Sequence, residues 1–192
     1  MTSEQRTVLS PVVGREEFQD LALLSGWQLH TVVQPDESRP YEEIWTADYG
    51  TSSAHYVEDY LLGVASVVTM GDRAAELAEF VAQNLSTLTQ AEVLVWVYAV
   101  VDDPGQRVQA LGYLAAVAPP QAADAFLAVL EDALHASQPE VRQAALYACV
   151  YLSWPEVVPL VEAVHNGDPD ETTRFNAAQV LEAIRRHQNP AS

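Results

Sequence analysis

Apolar residues recur along this chain in two rhythms. In residues 14–25, Phe18, Leu21, Ala22 and Leu24 fall on or near one face, and Glu16, Glu17 and Asp20 occupy the early turns. That spacing predicts a short helix, which Gly26 ends. From residue 27 to 70 the rhythm shortens. Trp27 to Val33 alternates and reads as a strand stopped by Pro35-Asp36-Glu37-Ser38, and Glu43 to Tyr49 reads as a second, turned by Gly50-Thr51-Ser52. Segments 54–59 and 64–70 complete a small antiparallel sheet. Val57, Tyr60, Leu61 and Val64 also satisfy helical spacing, but the density of β-branched residues favours strands. With Asp72 as N-cap, the stripe Ala74, Leu77, Ala78, Val81 and Leu85 predicts a helix, and from there helices dominate. Residues 90–101, which Thr89 can cap, carry Val93, Leu94, Val97, Val100 and Val101. They are apolar enough that both sides are expected to meet neighbours.

Beyond residue 100 one phrase recurs three times. Asp103-Pro104 precedes Arg107, Ala110, Leu111 and Leu114; Pro139 precedes Arg142, Ala145, Leu146 and Cys149; Asp168-Pro169 precedes Arg174, Ala177, Ala178 and Leu181. The second copy has Gln138 where the others have Asp, and the third has two extra residues between Pro and Arg. The arginines stand 35 and 32 residues apart, a spacing that predicts stacked helix pairs. First helices are expected at about 90–101, 122–135 and 155–165, and second helices at about 105–117, 139–152 and 170–186. Proline suits a helix's first position, alanine three after the arginine permits close approach, and the larger residue seven after it fills the layer between pairs. The three arginines are expected to act as structural pins that bond turn carbonyls or a nearby acid such as Asp103 or Asp168.

These residues resemble HEAT-like repeats, in particular the short variety of phycobilisome-lyase-type proteins, over about residues 89–186. The resemblance implies a short HEAT-like α-solenoid of about three helix pairs; with the small α+β, antiparallel-strand cap that the pattern before residue 89 predicts, the expected fold class is mainly α. The expected domains are residues 1–13 as a partly flexible N-terminal segment, 14–88 as the cap, 89–186 as the repeats and 187–192 as a flexible tail. A repeat fold of this kind specifies architecture, not activity.

Composition narrows the function classes. The chain carries 27 acidic residues against 9 basic ones for a formal charge of −18, and every basic residue is arginine. The acidic sign argues against direct phosphate-backbone binding, and the spread of the carboxylates over the whole length argues mildly against an acidic mimic of nucleic acid. Cys149 is the only cysteine, so no intrachain disulfide or cysteine-based zinc site forms. Its place at a repeat core position predicts a buried, inert thiol. With no run of signal-peptide or membrane-span character, the expected compartment is the cytoplasm.

Motif chemistry is sparse. His30, His55, His135, His165 and His187 show no metal-ligand spacing, the His-Glu pairs of iron-binding HEAT-like hydroxylases are absent, and so are phosphate-binding and nucleophile-elbow motifs. His55 with Asp59 is one histidine with one carboxylate, too little for a site. A surface is the better candidate. Tyr147 and Tyr151 are four apart, and Trp154 follows three later. A helix would put all three on one side, extended by Tyr113, with Glu140, Asp168, Asp170 and Glu171 as an acidic rim. The sequence thus points to a non-enzymatic interaction protein without cofactor or metal, binding a basic protein partner and neither nucleic acid nor membrane. One form of it is an immunity or inhibitor protein for a bacterial toxin. The alternatives are a chromophore- or cofactor-handling lyase and an acidic nucleic-acid mimic.

Overall fold

A computed structural model of the chain describes residues 4–36, 39–47 and 50–188. It divides into two compact units, Met1–Thr89 and Gln90–Ser192.

The first unit is a five-stranded antiparallel sheet with two helices. The strands are β1 (Glu4–Val8), β2 (Gln28–Val33), β3 (Tyr41–Ala47), β4 (Ser52–Asp59) and β5 (Val64–Gly71), in the order β1-β5-β4-β3-β2. The helices are α1 (Arg15–Leu24) and α2 (Ala74–Asn84). Alternation decides what is buried. Tyr41, Glu43, Trp45 and Ala47 on β3, with Ala54 and Tyr56 on β4 and Val67 on β5, point to the face that α1 covers with Phe18 and Ala22 and α2 covers with Leu77 and Val81. The opposite face shows Glu42, Ile44, Thr46, Ser53, His55 and Val57, each partly exposed. The ambiguity over residues 56–66 resolves to strands, joined through Gly63 at φ +67°. Residues 48 and 49 of the second predicted strand, and part of the turn before it, lie outside the described residues.

Local chemistry sets the ends of these elements. Helix α1 stops in a Schellman arrangement, with Gly26 at φ +74° and the amides of Gly26 and Trp27 donating to the carbonyls of Leu23 and Ala22. Helix α2 starts differently from expectation. Arg73, not Asp72, is the capping residue, and its amide donates to Ser52 Oγ at the end of the β4–β5 ladder. Gly71 has φ +105°, and a Cβ there would stand 2.4 Å from the carbonyl oxygen of Thr51, so only glycine fits. Residues 1–13, expected as a loose lead-in, contain β1. Its polar residues are exposed along a sheet edge, so no apolar alternation announces it.

A buried carboxylate ties this core together. Glu43 is 1% exposed and accepts from Tyr41 Oη (2.7 Å), Gln19 Nε2 (2.7 Å) and Trp45 Nε1 (3.0 Å). Nearby, Arg15 stacks on the Tyr41 ring and pairs with Glu58, which also accepts from Tyr56 Oη. Burial, reinforced by the bond to Glu43, pushes the Tyr41 hydroxyl up to about 12 from an ordinary 10.0, and burial raises Tyr56 as well. Both groups hold their proton more tightly folded than unfolded. The stability this supplies is intact below about pH 10 and is lost as pH climbs towards about 12. An ultraviolet titration should therefore show a late-ionising class of tyrosines whose appearance coincides with loss of near-ultraviolet circular dichroism.

The second unit is helical: α3 (Gln90–Ala99), α4 (Pro104–Val117), α5 (Asp124–Leu134), α6 (Pro139–Leu152), α7 (Val158–Gly167), entered through a 3-10 turn at Pro155–Val157, and α8 (Glu171–Gln188). Helices α3 and α4, α5 and α6, and α7 and α8 pack as pairs. The even-numbered helices pack one on the next, and so do the odd-numbered ones. The predicted tail overlaps the end of α8, and residues 189–192 lie outside the described residues. Pro104 and Pro139 open their helices, and Asp103 caps α4 by accepting from the amide of Gln106. The alanines and leucines of the recurring phrase are buried except Ala178, which is partly exposed. Cys149 is buried too, and burial pushes its thiol up to about 12.

The arginines are pins, though one chooses a different acid from the one the sequence suggests. Arg142 donates through Nε and Nη2 to the two oxygens of Asp168, at 2.6 and 2.9 Å, and through Nη1 to the carbonyls of Ala136 and Ser137. Arg107 reaches Asp132 on α5, not Asp103, and among the described residues its Nε has no hydrogen-bond partner. Arg174 donates to the carbonyl of Asp168. Each of the first two therefore ties a second helix to the first helix of the following pair.

Candidate partner-binding surface

Helix α6 begins at Pro139 and turns Ala145, Leu146, Ala148 and Cys149 inward, which leaves Tyr147 and Tyr151 on the outer side, 50% and 39% exposed. On the adjacent α8, Phe175 is 64% exposed. The two helices are registered by Asn176 Nδ2, which donates to Gln143 Oε1 at 2.7 Å. Phe175 precedes Asn176 and Tyr147 follows Gln143 by one turn, so the three rings stand within roughly two helical turns of that bond. Isolated exposed apolar residues are ordinary, but aromatic rings grouped on neighbouring helices are what interface anchors look like.

Two carboxylates stand at the same end of these helices. Glu140 and Glu171 are exposed in the first turns of α6 and α8, where the helix dipole favours them, and among the described residues neither is paired with an arginine. The arginines of this unit are occupied: Arg107 with Asp132, Arg142 with Asp168, Arg185 with Glu162 and Arg186 with Glu182, while Arg174 holds a carbonyl. The field around the aromatic rings is therefore set by uncompensated carboxylate.

Four of the residues expected on this surface do other work. Tyr113 is 3% exposed, packed against Trp96 with ring centroids 5.3 Å apart, and burial raises its pKa. Trp154 is 5% exposed and sits edge-on to Phe126 of α5. Its expected position assumed that α6 continues. Instead Ser153 adopts φ +50°, which ends the helix and turns the indole inward. Asp168 is buried with Arg142 and offers no rim charge. Asp170 accepts from the amide and hydroxyl of Thr173, bonds that lower its pKa and start α8. Tyr147, Tyr151, Glu140 and Glu171 are exposed.

The structure adds residues that pattern reading passed over. Phe175 occupies the position after the arginine, where the other copies carry Val108 and Gln143, so aligning the copies would have flagged it. Helix α3, read as covered on both sides, exposes Val95 (70%) and Tyr98 (57%), with Val101 (42%) just past its end. Among the described residues no group of three or more His, Cys, Asp or Glu is placed to hold a metal ion, and no helix is long and apolar enough to cross a membrane. Comparison with known proteins finds no matching family model, no similar curated protein and no similar solved structure.

Proposed function

We propose that residues 90–188 form a short HEAT-like α-solenoid that binds a basic protein partner through the outer side of α6 and α8. The observation that carries this reading is the group of exposed rings, Tyr147, Tyr151 and Phe175, on helices whose first turns hold Glu140 and Glu171, exposed carboxylates with no arginine partner among the described residues. The paired helices, with arginines recurring at the start of each second helix, support the solenoid. Two tyrosines and a phenylalanine supply buried contact area at low entropic cost. The acidic field of a chain at −18 speeds encounter with a cationic surface and disfavours acidic ones. A toxin with a basic active face, held by this protein as its inhibitor, is one partner of that chemistry.

The test is capture of basic proteins from the source cells by the immobilised full chain. The expected result is one basic protein retained at low salt and released as ionic strength rises, because rim charges act through a screened field. Tyr147→Ala with Tyr151→Ala is expected to weaken that complex by roughly 30-fold or more, the cost of about 2 kcal/mol for a central aromatic anchor. Circular dichroism should be unchanged, because both rings are solvent-facing. Capture that survives the double substitution at full strength overturns the reading.

A further inference from the structure

On the sheet face turned away from α1 and α2, three side chains form a relay. Ser53 Oγ lies 2.8 Å from His55 Nε2, and His55 Nδ1 lies 2.6 Å from Glu42 Oε1. Strand geometry brings them together. Residues 53 and 55 alternate onto one face of β4, and the register pairs Ile44 with His55, which makes Glu42 of β3 a diagonal neighbour of the imidazole. A carboxylate only accepts, so the Nδ1 proton belongs to the bond with Glu42, and Nε2 is left to take the proton of Ser53. This is the order of groups that turns a serine into a nucleophile: hydroxyl, imidazole as base, carboxylate to fix the tautomer and hold the imidazolium. The hydroxyl is reachable. Ser53 lines an open depression of about 580 Å³ whose walls include Ile44, Met70, Thr46 and His30.

We propose that Ser53 is an activated nucleophile that accepts acyl groups from small esters seated in this depression, an activity separate from partner binding and located in the other unit. Ser53 Oγ bonds to the acyl carbon as its proton passes to His55 Nε2. The carbon–oxygen bond to the alcohol breaks, and the departing alcohol takes that proton. Water, deprotonated by the same nitrogen, then releases the carboxylic acid and restores Ser53. Ile44 and Met70 offer the acyl chain an apolar wall. Thr46, opposite Ser53 in the ladder and lining the same depression, is the hydroxyl donor placed for the oxyanion.

The experiment treats the full chain with diisopropyl fluorophosphate and with p-nitrophenyl acetate, and maps the adducts by peptide mass spectrometry. Ser53 is expected to be modified far faster than Ser25, a turn hydroxyl that serves as an internal control, with a stoichiometric burst of p-nitrophenol. Ser53→Ala should abolish both signals. His55→Gln should slow them by about 100-fold or more, and Glu42→Gln should slow them with circular dichroism unchanged. A ladder that only braces the sheet gives a different result: Ser53 no more reactive than Ser25, or rates indifferent to Glu42→Gln. Either outcome overturns the proposal, and the first needs no variant to fold.

Discussion

Arg142→Ala is expected to lower the stability of residues 90–188 by about 3–5 kcal/mol, the cost of breaking a buried ion pair by deleting one member. The guanidinium holds both oxygens of Asp168 and two turn carbonyls, and each member of the pair is less than a tenth exposed. Its removal leaves an interior carboxylate that keeps the amide of Asp170 but has lost its paired cation, and two carbonyls that have lost the guanidinium. Arg107→Ala makes the contrast. Its partner Asp132 is 64% exposed and regains water when released, so the loss is expected to be smaller. Replacing both members, Arg142→Met with Asp168→Leu, should recover much of the stability, because the pair's own desolvation cost disappears with it. Hydrogen exchange of peptides from α6 to α8 under rising urea reads this unit separately from the other. Equal effects at Arg142 and Arg107 would contradict the account.

Glu43→Ala is the corresponding experiment in the first unit, and the expected loss is again about 3–5 kcal/mol. Three donors, on Gln19, Tyr41 and Trp45, converge on a carboxylate that is 1% exposed, and each left unmade costs about 1–3 kcal/mol, reduced where the side chain can swing to water. Gln19 can swing out; the phenol and indole are held by packing. Glu43→Gln keeps an acceptor for one or two of these bonds but turns a donor towards the others, so it should fall between wild type and alanine. Urea unfolding followed at β3 and β4 by hydrogen exchange measures the difference. A loss under about 1 kcal/mol for alanine would mean that the donors find other partners.

The helix pairs were legible because proline, arginine, alanine and leucine recur at spacings only a packed helix explains. The middle strands were legible because β3 alternates buried and half-buried positions along its whole length. Strand β1 was not, since Glu4, Gln5 and Arg6 lie on an edge with no apolar face to pattern them. Interactions distant in sequence were hidden for the same reason in both units. Asp132 lies 25 residues from Arg107 and Glu42 lies 13 from His55, and only pairing brings them together. Trp154 failed for a local reason: a serine, not a glycine, took the left-handed conformation that ended its helix. Of the expected surface, the exposure of Tyr147 and Tyr151 was legible because they break the repetition, the other copies carrying glycine and glutamine in the place of Tyr147, whereas Tyr113 is buried. The rim was overcounted, because a sequence does not reveal which carboxylates are already spoken for.

The stagger of the arginine links bears on how such a chain can change length. Asp168 serves the arginine of the preceding pair through its carboxylate and the arginine of its own pair through its carbonyl. Duplicating a whole pair would bring in one new cation and one new acceptor together and leave no link open. Deleting the last pair would take Asp168 away from Arg142 and uncover the side of α6 that α8 covers. The helical unit is thus free to grow by whole-pair duplication and resists truncation from its C-terminal end, a directional constraint on its lineage written into two side chains.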